Sequence, residues 1–160
     1  MTVGYTMERD VQKEQTLIYS VGQSVCAVQH LEDALSHSIV LKKLKPPLRS
    51  EADRHLEKHR SYTLGNAIKI AEEAQLYPAS LEKELKELLS ERNWLIHRSI
   101  AQNRDDWDLN IRRDELIDRV RAVATHALKL QRLIEENLIE FSEANGIDMS
   151  QVKAEMAKHK

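Results

Sequence analysis

The stretch LLSERNWLIHRSI, residues 88 to 100, decides how the chain is read. Wound at 3.6 residues per turn, Leu81, Leu85, Leu88, Leu95 and Ser99 fall on one stripe, with Leu89 and Ile96 beside it. Arg92 stands four residues after Leu88 and three before Leu95, where the spacing asks for another leucine. A charge there is costly if unpaired and tolerated if it meets a partner or a ligand. Asn93 and His97 lie one turn apart at the edge of the same face.

Working outward, the rest of the chain has the same helical grammar. Charged residues make up 31% and aromatics 4% of 160 residues, with only four Gly and three Pro, which fits an all-α protein rather than a sheet protein. The length suits a single domain over 1–160, with 1–6 and 146–160 as peripheral tails. The spacing predicts a first helix from Met7 to Leu44 carrying Ile18, Val21, Val25, Val28, Leu35 and Ile39, stopped by Pro46 and Pro47. A second helix is expected from an N-cap at Ser50, burying Leu56, Thr63, Leu64, Ala67, Ile68, Ile70, Ala71 and Ala74, with Gly65 marking a close helix approach. Tyr77 and Pro78 make a loop, and Ser80 caps a third helix that carries the opening motif to about Ala101.

The fourth helix begins near Asn110 and keeps a seam through Leu116, Val120, Val123, Ala127, Leu130, Ile134 and Phe141 until Asn145 and Gly146. Asp148 and Gln151 open a short amphipathic tail helix. The expectation is an up-and-down bundle of four long helices plus a short C-terminal one, with apolar surface left over for a homodimer.

A formal charge of -2 gives no global basic field, so any contact with nucleic acid must be local. The segment from Lys42 to Arg60 sets seven cations against three carboxylates, and Lys42, Lys43 and Lys45, with Arg98 beside the motif, are the candidate phosphate contacts. The only cysteine, Cys26, flanks the first apolar stripe and reads as a small hydrophobe. MTVGYTMERDVQKEQ has neither a basic leader nor an apolar core, and eighteen apolar residues never run together, so a cytoplasmic protein without a membrane span is expected.

HLEKH, residues 55 to 59, puts two histidines one turn apart. Leu56 stands where a helical zinc protease needs its glutamate, so no metal site is expected. Paired carboxylates in a recognisable frame, a glycine-rich phosphate loop and a nucleophile elbow are all missing, and no cofactor is implied. Guanidinium is permanently cationic and matches phosphate geometry, while imidazole exchanges a proton near neutral pH. Arg92 and His97 therefore suit phosphodiester chemistry that needs no metal. Spacing alone does not single them out, since an Arg is followed by a His at similar distance four more times, at Arg49, Arg54, Arg119 and Arg121. What singles out Arg92 is its place in the stripe. Glu32 interrupts the stripe of the first helix in the same way, so Glu32 and Arg92 are expected to form a buried pair, either a structural salt bridge or part of a site.

At RNWLIH the chain resembles the HEPN superfamily, whose catalytic members carry an Arg, four to six residues and a His, often with Asn directly after the Arg. Arg92, Asn93 and His97 match residue by residue, and HLEDAL in the first helix and TLGNAI before the motif are similar to the family's surroundings. The resemblance covers roughly Val11 to Asn145. It implies a helical bundle that pairs so that two motifs meet, and a metal-independent endoribonuclease of a toxin–antitoxin or antiphage system that leaves 2',3'-cyclic phosphate ends. Arg92 and His97 would be catalytic, Asn93 orienting, with Glu32 and Glu91 behind them. Single-stranded RNA and a cognate antitoxin are the partners it implies. Toxins silenced by nucleotidylation carry a tyrosine two residues after the His, where this chain has Ser99. Other HEPN-like proteins are non-catalytic interaction modules, which is the alternative reading.

Overall fold

The structure, a computed structural model, describes residues 3–44, 53–55, 57–58, 63–105 and 110–158, and these are helical throughout apart from short turns. The elements are α1 (Val3–Leu44), α2 (Leu64–Glu73), α3 (Ala79–His97), α4 (Ser99–Asp105), α5 (Asn110–Ala144) and α6 (Ser150–Lys158). The expected N-cap at Ser50 and the expected buried position Leu56 lie outside the described residues. Among the described residues no helix is long and apolar enough to cross a membrane.

In its first half the seam of α1 is displaced by one residue from the expected one. Its buried positions are Leu17, Ser20, Ser24, Ala27, Leu31, Leu35, Ser38 and Lys42, spaced by threes and fours. Val28 and Ile39 flank that line, as expected, whereas Ile18 is 59% exposed and Val21 and Val25 are only partly buried. The physical reason lies in the serines. A serine is small enough to let helices approach, and its hydroxyl can bond across to the neighbouring helix; Ser24 Oγ donates to the Val120 carbonyl of α5 at 2.7 Å. Cys26 falls on the opposite side and is exposed, not tucked beside the stripe.

On α5, Leu116, Val120, Val123, Ala127, Leu130 and Ile134 are buried as expected, while Phe141 is only half-buried. Among the described residues α1 and α5 share the largest contact and run in the same direction, as Lys13 with Asp114, Ser24 with Val120 and Lys42 with Asn137 show. α3 runs against α5, joined by Glu84 to His126 and Lys129 near one end and by Glu91 to Arg119 near the other.

α2 is shorter than expected, because Thr63 is extended and acts as its N-cap, its side chain accepting from the Asn66 amide. Leu64, Ala67, Ile68 and Ala71 form its buried face. It starts beside Glu32 and ends beside Lys42, so it follows α1 in direction and the expected up-down alternation fails at this step. The close approach expected at Gly65 is not seen, since a Cβ there would lie 3.6 Å from Leu89, an ordinary contact distance.

Tyr77 and Pro78 form the expected turn, but α3 is capped by Pro78 rather than Ser80, and it ends at His97 rather than Ala101. Arg98 interrupts the helix before α4 resumes at Ser99. Gly146, at φ +80°, stops α5, and Asp148 accepts from the Ser150 amide to start α6, both as expected.

One polar cluster ties α1, the Leu76–Tyr77 turn and α5 together. Lys42 is 8% exposed, donates to the Leu76 carbonyl at 3.0 Å and to Asn137 Oδ1, and lies 4.4 Å from the Tyr77 ring centre. Burial lowers its pKa below the usual lysine value, opposed by Glu140. Tyr77 donates to Ser38 Oγ at 2.6 Å. Lys42 is thus turned inward, and as a surface contact for phosphate that expectation is corrected.

Candidate active site

The stripe of α3 folds as its spacing demands. Leu81, Leu85, Leu88 and Leu95 are buried, and Ser99 is buried with its hydroxyl donating to the Leu95 carbonyl at 2.6 Å. Arg92, in the middle of that stripe, is only partly buried. Its long apolar stem leaves the interior sideways and its guanidinium reaches Asn93 Oδ1, 3.4 Å away, on the exposed side of the helix. Asn93 and His97 are both exposed, one turn apart, so the guanidinium, the amide and the imidazole share one outward face. His97 is the last residue of α3. Ile96 and Ile100, 46% and 39% exposed, stand beside this face.

The expected Glu32–Arg92 pair is not formed. Glu32 Oε1 accepts the Leu64 amide at 3.3 Å, where an N-terminus offers unpaired N–H groups and a positive dipole end to a carboxylate. Glu32 therefore serves α2, and Arg92 needs no buried anion because its charge reaches the surface.

Glu91 is engaged as well. Its two oxygens accept Arg119 Nε at 3.0 Å and a terminal Arg119 nitrogen at 2.9 Å, and the guanidinium carbon sits 3.7 Å from the centre of the Trp94 ring. The indole N–H of Trp94 donates to Gln102 Oε1 at 3.1 Å, bridging the break at Arg98. Sequence reasoning missed Trp94, Arg119 and Gln102. Trp94 inside RNWLIH was the available signal, but its partners lie on other elements.

Of the candidate phosphate contacts, Lys43 and Arg98 are exposed and Lys45 is outside the described residues. In HLEKH, His55 is half-buried and Leu56 and His59 are outside the described residues. Among the described residues no three of His, Cys, Asp and Glu come together so as to hold a metal ion. No family model matches the chain, and neither the curated proteins nor the solved structures searched include a match.

Proposed function

We propose that this chain is a metal-independent endoribonuclease of a toxin–antitoxin or antiphage system, working as a homodimer in the cytoplasm. The observation that carries the reading is the shared outward face of Arg92, Asn93 and His97, with the Arg92 guanidinium drawn over to Asn93. A guanidinium there can hold a scissile phosphate and offset its charge as the pentacoordinate state develops. The ribose 2'-oxygen attacks phosphorus, the bond to the 5'-oxygen breaks, and a 2',3'-cyclic phosphate results. His97 accepts the 2'-hydroxyl proton in its neutral form, and an imidazolium donates to the departing 5'-oxygen. In a twofold dimer two copies of His97 divide these roles, and exposed Ile96 and Ile100 beside the motif supply apolar surface for such pairing.

A non-catalytic interaction module is the second reading. Its support is the apolar surface of the α1–α5 pair, where Ile18, Tyr19 and Leu128 are exposed.

The test is cleavage of single-stranded RNA in excess EDTA. The purified chain should leave 2',3'-cyclic ends and spare DNA, which lacks the 2'-hydroxyl. His97→Ala should abolish cutting with an unchanged melting temperature, because the side chain is exposed. Cutting that survives in that variant, or that requires added metal, removes the catalytic assignment.

A further inference from the structure

Building on the ribonuclease reading, we propose that Arg119, held flat between Glu91 and Trp94, is a shelf on which a nucleobase of single-stranded RNA stacks beside His97. The guanidinium is fixed in two ways. Two hydrogen bonds to Glu91, at 3.0 and 2.9 Å, set its orientation, and the Trp94 ring lies 3.7 Å from its carbon. Trp94 is itself anchored by its indole bond to Gln102 and packs against the core. The Arg119 side chain remains 43% exposed.

Charge decides which part of an RNA this arrangement suits. Glu91 offsets the Arg119 cation, so its pull on a phosphate is weakened, while the plane itself is preorganised. Bases of single strands stack on aromatic rings and on guanidinium planes, and every base has a face to offer. Arg119 therefore fits a base, and Arg92, whose only polar partner among the described residues is the neutral Asn93 amide, fits the phosphate.

The two lie on opposite flanks of His97. Successive residues of a helix are turned by about 100°, which places Asn93, His97, Trp94 and Glu91 in that order around α3. A strand crossing the helix would meet Arg92 and Asn93, then His97, then the shelf. That order puts the reacting phosphate next to the imidazole and one neighbouring base on Arg119.

The chain has two tryptophans, Trp94 and Trp107, so Trp107→Phe leaves Trp94 as sole reporter. The probe is a short 2'-O-methylated oligonucleotide, which lacks the nucleophile and stays intact. Binding should change Trp94 emission saturably, and Arg119→Lys, which keeps the charge and loses the plane, should weaken it about fivefold, the low end of one stacked base. A second measurement needs no variant at that position: a strand with one abasic site should lose a similar factor when that site occupies the shelf. Equal binding by Arg119→Lys with an unchanged melting temperature, or an emission change indifferent to every abasic position, overturns the shelf. If ordinary RNA is still cut, the ribonuclease reading survives that result. A parent chain that neither binds the methylated strand nor cuts ordinary RNA removes both.

Discussion

Alkaline pH should act on this fold through Tyr77. The phenol is 7% exposed and donates to Ser38, and burial pushes its pKa from the usual 10.0 up to about 12. The native state therefore favours the neutral phenol more than the unfolded chain does. That contribution is complete below pH 10 and is lost as the pH rises from 10 towards 12, because only the unfolded chain then ionises freely. At about 1.36 kcal/mol per pKa unit, roughly 1.4 kcal/mol is gone by pH 11 and about 2.3 kcal/mol by pH 12.

Tyr77→Phe cannot ionise. Near neutral pH it lacks the bond to Ser38, worth about 1 kcal/mol, so it begins as the weaker protein. The gap should close near pH 11 and reverse above it. Lys42 responds in the opposite sense: its lowered pKa means that folding favours the neutral amine, so stability is gained as the pH climbs towards the ordinary lysine value. Both proteins carry Lys42, so to first order its contribution cancels in the difference between them. Urea midpoints at pH 8, 9, 10 and 11 measure the gap. A difference that stays constant to pH 11 would refute the burial of the phenol.

Glu32→Ala should cost about 1 kcal/mol, the value of a lost helix cap, and Arg92→Met should stay within about 0.5 kcal/mol, since these side chains serve different elements; thermal melts of both and of the double variant should add. A strong coupling between them would restore the buried pair. Ile96→Asp should shift the light-scattering mass from dimer to monomer with little change in melting temperature, because Ile96 is half exposed in the single chain. A dimer that ignores this substitution pairs through another face.

How much was legible depended on what periodicity can carry. The stripe of Leu81, Leu85, Leu88, Leu95 and Ser99 and the seam of α5 from Leu116 to Ile134 are observed as the spacing demands, because apolar side chains of similar size leave little choice of face. Only the first half of α1 lies one residue away from the expected line, because Ser20 and Ser24 are small polar residues that this fold buries, whereas Val28, Leu35 and Ile39 are buried as expected. Spacing put Arg92 in line with the stripe, where it is only partly buried, and it said nothing about a stem long enough to carry the charge out to Asn93. The break at Arg98 has no Gly or Pro to announce it, and it is stabilised by Trp94 and Gln102 across the gap. The contact of Arg119 with Glu91 joins residues 28 apart, beyond the reach of any local pattern.

The pairing of α1 with α5 sets the order in which the fold can be completed. Its contacts join residues about a hundred positions apart: Lys13 to Asp114, Ser24 to Val120, Lys42 to Asn137. Closing so long a loop is slow by the standard of helical proteins, whose contacts are mostly local. During synthesis α1 emerges first, and α2 and α3 reach it before its main partner exists. Until residues 113–139 have been made, the line from Leu17 to Leu31 has no α5 to cover it. A ribosome stalled before Val120 would hold a chain with that line bare, and there a holding chaperone would find its grip.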